Sequence, residues 1–66
     1  MSAPVAKFRL GSVTASVWKN GDFHSVTLER AYKDGNEVKN TGNLNAGDLL
    51  NAAKVLQRAE EYISAQ

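Results

Sequence analysis

From Lys7 to Thr41 apolar and polar residues alternate with a period of two, and beyond Asn45 the spacing lengthens to that of a helix. Lys7-Phe8-Arg9-Leu10 sets Phe8 and Leu10 on one face of a strand and Lys7 and Arg9 on the other. After Gly11-Ser12, the run from Val13 to Lys19 puts Val13, Ala15 and Val17 on one face and Thr14, Ser16 and Trp18 opposite. Trp18 therefore points away from the aliphatic stripe. Asn20-Gly21 is a hairpin signal, because a type I′ turn needs positive φ at both central positions.

Phe23 to Lys33 is the longest strand, with Val26 and Leu28 on one face and Thr27 and Glu29 on the other. Strict alternation carries Arg30 and Tyr32 onto the face of Val26 and Leu28. Two readings follow: the strand bulges there, or it runs past the helix-covered region and offers Arg30 and Tyr32 to a partner. Asp34-Gly35-Asn36 turns the chain, and Glu37 to Thr41 forms a short polar strand. Residues 1–6 are expected to be a flexible arm, since Pro4 cannot donate to a ladder, and residues 7–66 a single ββββα domain.

Asn45 suits an N-cap, and Asp48 brings a carboxylate to the first turn. The helix is expected from about Ala46 to Ser64. Leu49, Ala52, Leu56, Ala59 and Ile63 form its buried stripe, broadened by Ala53 and Val55. Gly47 in the first turn costs about 1 kcal/mol against alanine, too little to break it. The fold class is α+β, a four-stranded antiparallel sheet followed by one C-terminal helix. A lone helix covers one face of such a sheet, so the other meets solvent, a second copy or a ligand.

Size bears on the second copy. A chain of 66 residues has a small core, and without cysteine or a Cys/His cluster it has neither a disulfide nor a structural zinc site to staple it. A homodimer is the expected remedy. No segment is apolar over a membrane-spanning length, and residues 1–5 lack the pattern of a signal peptide, so a cytoplasmic protein is expected, with no membrane partner. The formal net charge is +1, which favours neither a nucleic-acid binder nor its opposite.

Catalytic chemistry has little to draw on. His24 is the one histidine, cysteine is absent, and Glu60 and Glu61 diverge as helix neighbours do. No glycine pattern suits a phosphate loop. No enzyme activity, metal, cofactor or small-molecule substrate is expected. What the strands do carry is cations and aromatics: Lys7, Arg9, Trp18, Lys19, Phe23, Arg30, Tyr32, Lys33 and Lys39. Aromatic faces that stack on bases, with Lys or Arg neutralising phosphates, are the means of gripping single-stranded nucleic acid. The candidate binding set is Arg9, Trp18, Lys19, Arg30, Tyr32, Lys33 and Lys39. Single-stranded DNA or RNA, bound with little sequence preference, is the expected partner.

The segments Lys7-Phe8-Arg9, Ala15 to Gly21, Val26 to Tyr32, Asp34 to Lys39 and Gly42 to Leu49 occur in an order that resembles one known domain. It is the single-stranded-DNA-binding domain of the transcriptional coactivator positive cofactor four, with its small bacterial and phage relatives. The resemblance implies four antiparallel strands, one helix, a dimer, and a role as a transcription or replication accessory factor. It aligns Arg30 and Tyr32 with an Arg-Glu-Tyr-like segment, Lys39 with a lysine after an acidic-glycine turn, and Trp18-Lys19 with a nucleic-acid-touching hairpin tip. The chain departs from that pattern at Asn40-Thr41, where the family is often basic, and at Leu49-Leu50, where it usually has an aromatic. The competing expectation is a small protein-interaction module or inhibitor, such as a phage or plasmid regulator, that binds no nucleic acid. Near-neutral charge and an exposed tryptophan suit that reading too.

Overall fold

The computed structural model describes residues 3–66. Strands β1 (Ala6–Leu10), β2 (Val13–Asn20), β3 (Phe23–Asp34) and β4 (Glu37–Thr41) form one antiparallel sheet in the order β1-β2-β3-β4. A single 3-10 turn (Ala46–Asp48) leads into helix α1 (Leu49–Ser64). The expected α+β architecture is the one observed.

Each hairpin is closed by a two-residue loop that begins with glycine. Gly11-Ser12 lies between the paired residues Leu10 and Val13, Gly21-Asp22 between Asn20 and Phe23, and Gly35-Asn36 between Asp34 and Glu37. The glycines have φ of 62°, 63° and 66°, and no other type of residue has positive φ among those described. That is the type II′ requirement, glycine at the first central position. The turn expected at Asn20-Gly21 is therefore one residue later: Asn20 ends β2, and only Gly21 adopts the left-handed region.

The arm is also shorter than expected. Ala6 opens β1, and just before it the Val5 N–H donates to the Val17 carbonyl at 2.8 Å, so Ala6 belongs to the sheet and Val5 is tied to its edge. Met1 and Ser2 lie outside the described residues. β2 extends far enough to offer these residues a backbone partner, which outweighs the missing donor of Pro4.

Val13, Ala15 and Val17 are buried, as the alternation predicts, and meet Ala52, Val55 and Ala59 of α1. The helical stripe is rotated from the one expected. Leu49 and Leu56 are 54% and 41% exposed, Ala53 is exposed, and Tyr62 with Ile63 closes the far end of the contact. Tyr62 packs edge-on against Phe8 of β1 at 6.2 Å, and Asn51 abuts the β1–β2 turn at Gly11. The helix thus lies over β1 and β2, and the flank bearing Leu49 and Leu56 turns toward β3. Small side chains won the central position because they let the helix approach the valines closely.

Candidate functional site

The register runs unbroken along β3, from Phe23 opposite Asn20 to Arg30 opposite Val13, and onward from Arg30 opposite Thr41 to Asp34 opposite Glu37. No bulge intervenes. β3 simply runs past the helix, so the bulge is excluded and the strand extends as in the second reading, but Arg30 is engaged within the chain rather than offered outward.

That register divides the candidate residues between two faces. On the face away from α1, Lys7 and Arg9 of β1 stand opposite Ser16 and Thr14, and Trp18 stands opposite Ser25. Lys33 and Val38 continue the same face at the far end of the sheet. The indole of Trp18 does not project freely. Its Nε1–H donates to Thr27 Oγ1 at 3.0 Å, so the ring reaches across from β2 to β3 along the surface of the sheet. Cross-strand neighbours are about 5 Å apart and diagonal ones about 7–8 Å, which puts Lys7 within reach of a ligand resting on Trp18.

Lys19, Arg30, Tyr32 and Lys39 share the other face, the side that carries the helix. Arg30 is engaged there: its Nε–H donates to the Asn43 carbonyl at 3.0 Å and lies 3.5 Å from Asp48 Oδ2, with the side chain 20% exposed. Its guanidinium also sits 5.6 Å from the Tyr32 ring centroid, a cation–π distance. Asp48 in turn accepts the Asn45 N–H at 3.0 Å, which fixes the entry to the 3-10 turn. Lys39 is paired with Asp34 at 3.0 Å and with Glu37 at 4.0 Å. Lys19 is exposed on the hairpin end beyond the helix, opposite His24. Of the candidate set, then, Arg9, Trp18 and Lys33 share the open face, while the other four do not join them.

Two features, one on this face and one at the sheet edge beside it, were left out of the candidate set. Lys7 belongs with Arg9, as their spacing of two residues already implied. The second is a groove of about 390 Å³ lined by Thr27, Leu28, Glu29, Asn40, Thr41 and Gly42. It arises because β4 pairs only with residues 30–34 of β3, so that the edge of β3 from Phe23 to Glu29 has no strand beside it. The length mismatch between β3 and β4 was the available signal. Thr27 belongs to the groove and to the Trp18 hydrogen bond alike.

Among the described residues, no group of three or more His, Cys, Asp or Glu is placed to hold a metal ion, and no helix is long and apolar enough to cross a membrane. Comparison with known proteins returned no matching family model, curated relative or solved structure.

Proposed function

We propose that the protein binds single-stranded nucleic acid on the open face of its sheet, with Trp18 stacking on a base and Lys7, Arg9 and Lys33 meeting phosphates. The observation that carries this reading is the tethered indole. An aromatic ring secured along the sheet by Thr27, with two cations on the adjoining strand, supplies a stacking platform and its counter-charge together. Stacking accepts any base, so the sequence preference contributed by Trp18 itself is small. Arg30 and Lys39 support the fold in this reading, because their charges already have partners.

A homodimer is part of the same proposal. Among the described residues the buried core is three valines and three alanines, while Leu49, Leu50 and Leu56 are exposed along the helix. A second copy laid against the Leu49 and Leu56 flank would remove that apolar surface from water.

The test is fluorescence anisotropy of a labelled thymidine homopolymer at low salt and micromolar protein, with Trp18 emission followed in parallel. Binding with quenching of the indole is expected. No change in anisotropy overturns the proposal and favours a protein-docking module, for which the exposed Phe23 and Val38 are suitable anchors.

A further inference from the structure

Glu29 is the one carboxylate among the strand residues of the open face, which otherwise presents cations, hydroxyls, amides and apolar groups. It is exposed and has no ion-pair partner among the described residues, although Arg9 lies in the same cross-strand row, separated from it by Thr14. A lone negative charge on a face that meets a polyanion repels phosphate. Whatever part of the ligand approaches it must therefore present hydrogen-bond donors, and within a DNA strand those donors are on the bases.

Resting on the open-face reading above, we propose that Glu29 selects bases with donors on their pairing edge, guanine foremost, and that the groove beside it is the subsite. The groove holds Glu29, Asn40 and the hydroxyls of Thr27 and Thr41 as side-chain hydrogen-bonding groups, and the unpaired edge of β3 adds the backbone N–H and C=O of Leu28. Its volume of about 390 Å³ falls at the lower end of the ~300–1,000 Å³ typical of small-ligand pockets. Thr27 belongs both to the groove and to the tether of the Trp18 ring, so the subsite adjoins the stacking platform.

Chemistry ranks the bases. Guanine offers its ring N1–H and exocyclic amino group side by side, matching the two oxygens of one carboxylate. Adenine and cytosine offer a single amino group. Thymine and uracil flank their one N–H with carbonyl oxygens that a carboxylate repels.

The test uses the full chain, with anisotropy read on short thymidine strands that differ at one central position: thymidine, guanosine or inosine, the last lacking the exocyclic amino group. The guanosine strand is expected to bind about tenfold tighter than the all-thymidine strand, with inosine between them. Glu29→Gln is expected to abolish that ranking, whereas Trp18→Ala lowers all three together. Equal binding of the three strands by the unsubstituted protein, or an unchanged ranking in Glu29→Gln, overturns the role of Glu29 while leaving the open-face reading in place. Absence of binding to every strand at low salt overturns both.

Discussion

Arg30 of β3 and Asp48 at the entry to α1 stand 3.5 Å apart, with side chains only 20% and 16% exposed, and they fasten the sheet to the loop that delivers the helix. The same arginine reaches the Asn43 carbonyl, and the same carboxylate accepts the Asn45 N–H. Removing either partner leaves a half-buried charge without its counterpart. Arg30→Ala is expected to lower stability by about 1–3 kcal/mol, read from urea unfolding. Under folding conditions its oligonucleotide affinity should stay within twofold of the parent, since Arg30 faces away from the proposed platform.

Trp18 should behave in the opposite way. Trp18→Ala is expected to weaken oligonucleotide binding by tenfold or more, in line with about 1–3 kcal/mol per stacked base. Trp18→Phe, which keeps a ring but loses the hydrogen bond to Thr27, should fall between them. Titration with a labelled strand separates the three proteins, and matched far-ultraviolet circular dichroism checks that each is folded.

Salt reports how many phosphates are met. With Lys7, Arg9 and Lys33 as the open-face cations, log affinity should fall with log salt at a slope of about −2 per protomer, from ~0.7 per neutralised phosphate. A slope steeper by about 0.7 would mean that Lys19 or Lys39 also reaches the strand. Lys7→Ala should make the slope shallower by about 0.7.

Gly11 tests the packing of turn against helix. Its φ is +62°, and a Cβ added there would lie 2.9 Å from Asn51 Nδ2. Gly11→Ala combines that contact with left-handed strain, so a loss of about 1–2 kcal/mol is expected. Gly21→Ala and Gly35→Ala have the same backbone strain with open space around the added carbon, and should cost less. Thermal melts of the three variants give the order directly.

Leu56→Glu addresses the second copy. It puts a charge on the exposed helix flank and spares the buried residues, so sedimentation should change from dimer to monomer while the helical signal persists. The parent's melting temperature should rise with protein concentration, and the variant's should not.

Alternation alone placed the strands within a residue, the turns near their glycines, and Val13, Ala15 and Val17 in the interior. It also fixed Trp18 on the opposite face, because period two is strict wherever register holds. The helix was harder to orient. Leu49, Leu56 and Ala53 lie within one turn's arc of Ala52 and Ala59, and hydropathy ranks the leucines first, yet shape complementarity to the valines chose the alanines. The site divided for a related reason. Residue type marked Arg30, Tyr32 and Lys39 as binding groups, but which charges are already neutralised depends on Asp48, Asp34 and Glu37, and those pairings depend on tertiary placement.

Alanine at 15, 52 and 59 sets the stand-off between helix and sheet much as a shim sets a gap. A longer side chain at any of the three would lift α1 as a lever about its remaining supports. Because its leading end is fastened to Arg30, the displacement would be relayed into the segment from Gly42 to Asp48 and so into one wall of the groove. Three methyl groups between helix and sheet would in this way reach the shape of a feature at the sheet's rim.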